Sequence, residues 1–351
     1  MKHMIFGESH GPAIGVTLSG VPAGIELDME EISFEMGRRA PGKSQLSTAR
    51  KEKDEPGILS GVFQGKTTGT PLCAVIQNTD QHSGDYEKLR NLPRPGHGDY
   101  PGYVRYEGCN DYRGGGHFSG RLTAPLVFAG AVAKQILAPK GITVGAHILS
   151  VAGIGEESFE TLNPDPAMLR TIAEKPFPTW DDARGEEMQS AILEAKNSRD
   201  SVGGIIQCTV LGLPTGLGSP DFGENVEGIF ARELFAVPAV KGVEFGRGFA
   251  MAEMRGSECN DPIRMEDGHI TLTRNVNGGI NGGITNGMPL LFSVVMRPTP
   301  SIAREQDTVN LSTGENARLT VEGRHDPCIV HRAVPVIEAA AALATCELLG
   351  I

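Results

Sequence analysis

Four of the nine histidines lie in tight, glycine- or proline-bounded turns beside groups that can accept or donate a proton. The turns are Gly7-Glu8-Ser9-His10-Gly11, Arg94-Pro95-Gly96-His97-Gly98-Asp99, Gly116-His117-Phe118-Ser119 and Arg324-His325-Asp326-Pro327. A histidine on a rigid turn suits acid–base transfer better than one on a helix face, because its partners are fixed and its ring reaches solvent or ligand. Asp326 could accept a proton or simply pair with an arginine. The first turn also fits the G-x-S-x-G pattern of serine hydrolases, which demands a strand before and a helix after. Only six residues precede it, a strand-like alternation follows, and a histidine adjacent to its serine is badly placed as that serine's base. Two readings stay open: a polar turn with a solvated histidine, or a loop that holds Ser9 and His10 against a ligand.

Anion chemistry is the second theme. Arg113-Gly114-Gly115-Gly116-His117-Phe118-Ser119-Gly120-Arg121 runs into an apolar helix, so three glycines can offer a backbone nest next to a helix N-terminus. Arg297-Pro298-Thr299-Pro300-Ser301 offers a guanidinium and two hydroxyls on a rigid loop. Gly278-Gly279-Ile280-Asn281-Gly282-Gly283 lacks the dinucleotide-binding spacing and reads as close backbone approach to a flat ligand or as a plain hairpin. Gly65-Lys66-Thr67 is not a P-loop, since Ser60 stands where its first glycine belongs and Gly69 and Pro71 forbid the helix. Arg38, Arg39, Arg50, Arg94, Arg113, Arg121, Arg297 and Arg324 accompany these segments in a chain of net charge −11. That patterning points to a focused pocket for a polyanion. The residues alone thus imply an enzyme or binder for phosphorylated, carboxylated small molecules.

The elements that must position these groups are legible. With 351 residues the chain has room for about two domains or one large one. Its 46 glycines and 23 prolines predict many tight turns. Ile14, Val16 and Leu18 alternate as a half-buried strand, and Asp28 with Glu31 looks like a capping box opening a helix that Ala40-Pro41-Gly42 closes. The phrase strand, G-x-P-x-G turn, helix returns at Cys208–Leu217 and Ile229–Phe235, which predicts an internal pseudo-repeat spanning about 14–40 and 206–238. Further strands are expected at Ile205–Leu211 and Leu290–Met296. Thr123–Leu137 and Val334–Leu349 are apolar almost all round, so they need cover on every side. The expected fold is α+β, with a buried helical layer sandwiched between antiparallel sheets. No linker divides it, so 1–351 reads as a single domain.

Composition excludes other classes. Aromatic residues are 5% with one Trp, which argues against stacking platforms for single-stranded nucleic acid. The negative charge disfavours DNA and anionic membranes. No apolar run reaches membrane-span length, no secretory h-region is visible, and no C-x-x-C pair suggests a zinc site or disulfide framework. A reduced, cytoplasmic protein without nucleic-acid, membrane or metal partners is expected.

In order along the chain, Phe6–Gly11, Arg39–Ser44, Ile58–Phe63, Gly65–Pro71, Asn78–Asp80, Arg94–Asp99, Asp111–Gly116, Val240–Glu244, Gly278–Ile284, Pro298–Ile302 and Gly323–Pro327 together resemble the chorismate synthase family. The resemblance runs from Phe6 to Leu349. It implies a shikimate-pathway lyase that eliminates phosphate from 5-enolpyruvylshikimate 3-phosphate in a 1,4-anti sense. Reduced FMN is required without net redox change, and the family's enzymes are usually homotetramers. It further implies that His10 assists phosphate departure, that His97 lies near the flavin N1 and O2 edge, and that Asp326 helps flavin N5 accept the substrate proton. Ser9 and Ser119 match active-site serines. Arg39, Arg121 and Arg324 match anion-binding arginines, with Arg324 also among the flavin contacts. His117, Phe118, Ser119, Gly282, Arg297, Pro298, Thr299, Pro300 and Ser301 match the other flavin contacts. With no nicotinamide-binding module apparent, a separate NAD(P)H-dependent reductase is expected to supply the reduced flavin. The chain departs from the pattern at His117 and Phe118, at Gln45, where arginine is frequent, and at Arg297, where lysine is usual.

Overall fold

The computed structural model describes residues 1–351 apart from 43–45, 47–51, 53, 80–88, 322 and 324. Gln45, Arg50 and Arg324 therefore lie outside the described residues.

The chain opens with β1 (Lys2–Gly7) and β2 (Ala13–Ser19), which bracket the Ser9-His10 turn, and continues into α1 (Met29–Arg39). After β3 (Gly57–Ser60) comes a short hairpin of β4 (Val62–Phe63) and β5 (Lys66–Thr67), then β6 (Leu72–Gln77). Strands β1-β2-β6-β3 form an antiparallel sheet in that order. Helices α2 (Asp99–Arg105) and α3 (Thr123–Leu137) flank the triple glycine. Next come β7 (Thr143–Val151), β8 (Ile154–Gly155), α4 (Phe159–Leu162), α5 (Pro166–Ala173), α6 (Asp182–Asn197), β9 (Gly204–Leu211), α7 (Val226–Ala236) and β10 (Val240–Phe245). The last third holds α8 (Gly256–Cys259) and the hairpins β11 (Ile263–Glu266)–β12 (His269–Leu272) and β13 (Ile280–Asn281)–β14 (Ile284–Thr285). It ends with β15 (Leu290–Met296), the hairpin β16 (Glu305–Asn310)–β17 (Glu315–Thr320), and α9 (Val330–Leu348). A second antiparallel sheet runs β10-β15-β9-β7-β8.

The expected sandwich is present. Helix α3 packs on β1, β2 and β6 of the first sheet, α9 packs on β7 and β9 of the second, and the two helices pack on each other. Their crossing is close because small residues meet there: a Cβ on Gly130 would fall 2.2 Å from that of Ala339. Both helices are buried on nearly every face, which is why neither shows an amphipathic stripe. The segment Gly120–Lys140 is apolar enough to cross a membrane by composition, yet it is mostly buried inside the protein.

Two local readings need correction. Helix α9 starts at Val330, four residues before the expected start, so Pro335 sits in its second turn rather than its first. Tertiary packing there outweighs the lost hydrogen bond of an interior proline. Asp28 does cap α1 through the N–H groups of Glu30 and Glu31, but Glu31 does not complete a capping box; its carboxylate pairs with Arg170 at 2.7 Å.

The repeat has a hydrogen-bonded counterpart. Gly20 and Gly24 take positive φ (+83°, +87°), and so do Gly212 and Gly216 (+82°, +99°), conformations that favour glycine. Thr67 Oγ1 donates to the Pro22 carbonyl (2.6 Å) and accepts from Ile25 N–H (2.9 Å). Thr285 Oγ1 does the same with Pro214 (2.7 Å) and Leu217 (2.9 Å). The β4–β5 and β13–β14 hairpins, unrelated to the eye in sequence, are thus equivalent clasps on the two strand–turn–helix units.

Candidate active site

A cavity of about 820 Å³ opens between the ends of these units. The C-terminal end of α1 contributes Arg39 and Pro41 to its wall. The equivalent end of α7 contributes Phe235, Val237 and Pro238. One end is charged and the other apolar, so a duplicated element makes the two chemically different sides of one pocket.

The triple glycine forms the floor. Gly114, Gly115 and Gly116 have φ of +58°, +85° and +52°. A Cβ on Gly114 would lie 2.1 Å from His10 Cε1 and Nδ1, and one on Gly115 would lie 3.1 Å from His97 Cε1. The glycines let two histidines press against one strip of backbone. Of the three amides expected from sequence to form a nest, the middle one is taken. Gly115 N–H is committed to the Tyr112 carbonyl, and the carbonyls of Gly114 and Gly116 accept from Ser9.

Ser9 and His10 are buried behind Gly114, His10 at 2% exposure, so the solvated-turn reading falls, but neither residue lines the cavity itself. Ser9 Oγ donates to the Gly114 carbonyl at 3.0 Å and lies 3.0 Å from His10 Nδ1. A hydroxyl has one proton to give, so His10 Nδ1 carries the hydrogen of that contact.

His97 faces the cavity from the Arg94–Asp99 turn. Its Nδ1 is 2.6 Å from Asp99 Oδ1, and Arg94 grips the same carboxylate through Nε (2.7 Å) and Nη2 (2.8 Å). Burial alone would raise the Asp99 pKa, but hydrogen bonds from Arg94 and His97 bring it well below the usual carboxylate range. Arg94 also reaches Ser301 Oγ (3.2 Å), and Arg297 donates to the Gly96 carbonyl (2.6 Å). The 94–99 turn and the 297–301 loop are therefore locked together.

Among the described residues, Arg39, Arg94, Arg121, Lys241, Arg297 and Arg332 line the cavity against only Glu52 and Asp326 of opposite sign. In an acidic protein this is a strongly focused positive field. Arg39 and Arg121 converge on Asp54, Arg39 through Nη1 (2.8 Å) and Arg121 through Nη1 as well. Burial lowers the Arg39 pKa, Asp54 opposes that, and nearby Arg332 and Arg121 push it down further, to about 10. Asp54 would be raised by burial but is held below its ordinary value by the two arginines. Arg121 Nη2 is buried without a protein partner, a donor the cavity leaves for a ligand.

Asp326 lines the cavity with Oδ2 on Arg332 Nη1 at 2.7 Å, and Thr299 Oγ1 holds its backbone carbonyl at 2.8 Å. Phe118, Ser119, Thr299, Pro300 and Ser301 line it too. His117 is exposed at the rim, with Nδ1 donating to the Gly7 carbonyl at 2.9 Å. Other expectations land elsewhere. Gly282 is the exposed tip of the β13–β14 clasp and Pro298 is turned outward, so neither lines the cavity. Arg113 pairs with Asp111, and Arg38 is buried among the helices. Sequence reasoning assigned no role to Asp99, Asp54, Glu52, Lys241 or Arg332. Only Asp99 carried a local signal, two residues after His97 in a rigid turn.

A basic cavity with a half-buried, carboxylate-braced histidine, and a second histidine buried behind its glycine floor, suits an enzyme for a small polyanion. Comparison with known proteins makes this specific. A family model described as chorismate synthase matches residues 1–349. The chorismate synthase of Thermococcus kodakarensis is 46% identical over 342 residues, covering 97% of this chain and 94% of that one. That of Korarchaeum cryptofilum is 47% identical, covering 96% and 92%. A solved structure titled "Crystal Structure of Chorismate Synthase" superposes with a TM-score of 0.77 at 30% identity, covering 99% of this chain and 91% of the other. The chain belongs to the chorismate synthase family and is a lyase of the shikimate pathway.

Proposed function

We propose that the cavity converts 5-enolpyruvylshikimate 3-phosphate to chorismate and phosphate by 1,4-anti elimination, with reduced FMN as cofactor. The observation that carries this reading is the pairing of a positive wall with two histidines packed on one glycine floor, His97 facing the cavity and His10 buried behind it. The residues fit the group: Phe118, Phe235 and Val237 offer an apolar face, the 297–301 loop offers hydroxyls, and the partnerless Arg121 Nη2 offers a donor. FMN, when bound, would supply electron density transiently and recover it, so that no net redox change occurs. The cavity volume lies in the usual range of about 300–1,000 Å³ for small-molecule sites.

Arg39 and Arg121 would hold the anionic substrate, pre-oriented by Asp54 so that little side-chain freedom is lost on binding. His10 would give a proton from Nε2 to the departing phosphate, while Ser9 fixes its ring. His97 would present its Nε2 at the opposite side of the glycine floor. Asp326 would take up a proton at Oδ1 while Arg332 keeps Oδ2. The whole of 1–351 would act as one catalytic domain in a cytoplasmic homotetramer, with reduced flavin delivered by a separate NAD(P)H-dependent enzyme.

The primary experiment is anaerobic phosphate release from the substrate. Activity is expected only with FMN plus a reductant, and without stoichiometric consumption of that reductant. Equal turnover after rigorous flavin removal contradicts the reading, and ligand binding without phosphate release marks a binder instead. His10→Ala and His97→Ala are each expected to lose about 10- to 10⁴-fold in rate with the fold intact. Near-normal turnover in both, measured the same way, removes their acid–base role. Asp326→Asn keeps size and hydrogen bonding but loses the charge. It is expected to bind FMN within about tenfold of normal and to slow the single-turnover step. The reverse pattern makes Asp326 only a brace for Arg332.

A further inference from the structure

We infer that Asp99 is a positioning residue that fixes the tautomer of His97, keeping the proton on Nδ1 and leaving Nε2 as the nitrogen that faces the cavity floor. The inference deepens the proposed reaction and rests on it only for its kinetic arm.

The geometry leaves one arrangement. Two groups approach His97 Nδ1: Asp99 Oδ1 at 2.6 Å and Arg94 Nη2 at 3.1 Å. A bare Nδ1 lone pair would accept from Arg94, but would then face a carboxylate oxygen at 2.6 Å with no proton between them. A protonated Nδ1 donates to Asp99 along the shorter contact, and Arg94 satisfies its own donors on the same carboxylate. Asp99 stays ionised because Arg94 clamps it through Nε and Nη2 and its backbone N–H adds a third donor at 3.0 Å. The ionised carboxylate therefore accepts a proton from the imidazole.

The far side of the ring agrees. A Cβ on Gly115 would sit 3.2 Å from His97 Nε2, which places that nitrogen on the glycine floor, across from Gly114 and His10. Among the described residues, the charged groups bonded to the ring are Arg94 and Asp99 on its own turn; Arg297 is held to that turn through the Gly96 carbonyl. None of these contacts takes Nε2. The ring is thus delivered with one orientation and one working nitrogen, as a carboxylate does for the base in other enzymes, where losing the carboxylate costs about 10⁴-fold by installing the wrong tautomer.

The test begins on the ligand-free protein. Imidazole ¹⁵N shifts of His97, assigned by comparison with His97→Ala, are expected to show an Nδ1–H ring in the wild type. An Nε2–H ring there overturns the inference before any variant is made. In Asp99→Asn and Asp99→Ala, Arg94 becomes the neighbour of Nδ1, and the ring is expected to switch to Nε2–H. Asp99→Glu, which restores the charge, should return part of the Nδ1–H form. An unchanged tautomer in both neutral variants also overturns the inference. The second arm is phosphate release: the neutral variants are expected to lose about 10²- to 10⁴-fold in kcat with KM for the substrate within about threefold, and Asp99→Glu to recover at least tenfold. A tautomer switch with unchanged kcat defeats the catalytic part. Because the ¹⁵N arm uses neither flavin nor substrate, failure of the proposed reaction and failure of the positioning role are read separately.

Discussion

Gly114→Ala is expected to lower turnover by about 10²- to 10⁴-fold, the range associated with losing a positioned acid–base group, while the protein still folds. The new methyl would stand 2.1 Å from His10 Cε1 and Nδ1 and 2.5 Å from Ser9 Oγ. Neither neighbour can step aside. Ser9 is tied to this strip through its Oγ on the Gly114 carbonyl and its N–H on the Gly116 carbonyl, and His10 is enclosed. The backbone resists as well, since φ of +58° and ψ of 15° cost a residue with a Cβ about 1–2 kcal/mol. The ring must tilt, and the Nδ1 contact to Ser9 that orients it is lost. A double variant separates this from general damage: once His10 is alanine only the Ser9 contact and the backbone strain remain, so Gly114→Ala should slow the His10→Ala protein far less than it slows wild type. Phosphate release and thermal unfolding of the three variants provide the measurement. Gly114→Ala activity within about threefold of wild type would show that the packed histidine is not the catalytic form.

The contact between Gly114 and His10, 104 residues apart, lies where the sequence stops being informative. The histidine turns, the apolar helices and the strands are legible because their signals are local: glycine and proline spacing, period-two alternation, or unbroken apolar runs. Arg39 and its neighbour Arg38 carry the same local signal and go to different places. About 100° of helix separates them, so Arg39 faces the cavity while Arg38 turns to α9. Asp54 sits in the charge run Lys51-Glu52-Lys53-Asp54-Glu55, which carries no periodicity or turn signal, yet it is 2% exposed. Its burial is decided by Arg39 and Arg121, which reach it from 15 and 67 residues away. The equivalence of the two clasps was hidden for a related reason. Gln64 at φ +51° occupies the turn position that Gly282 takes at +62° in the other copy, so only the backbone is repeated. Long-range partners and conformations without their usual residue leave no pattern to read.

Arg38 leads to the largest expected effect on stability. Glu338 of α9 is 1% exposed and meets Arg38 through both guanidinium nitrogens, Lys134 of α3 at 2.6 Å, and the Ala146 N–H of β7 at 3.1 Å. Glu35 of α1 completes the cluster on Arg38 (2.8 Å) and Lys134 (2.6 Å). Two cations and two anions thus join three helices and the second sheet at the centre of the sandwich. Burial alone would raise the Glu338 pKa, but Arg38 and Lys134 overcome it and hold the pKa at about 2, against 4.5 for a free side chain. A depressed carboxyl pKa contributes stability that is fully present above about pH 4.5 and is lost as pH falls towards 2, on the order of 3 kcal/mol. Glu338→Gln keeps the shape and an acceptor for Ala146 but leaves two buried cations facing one carboxylate. It is expected to cost about 3–5 kcal/mol at pH 7, the usual penalty for breaking a buried ion pair from one side. The deficit should narrow as pH drops below about 4.5, because protonation makes the wild-type side chain resemble the amide. Urea unfolding of both proteins at fixed concentration from pH 7 to 3 measures it. A loss below about 1 kcal/mol at neutral pH, or a deficit that does not shrink with acid, would mean that the cluster is held in place by the packed helices around it rather than holding them.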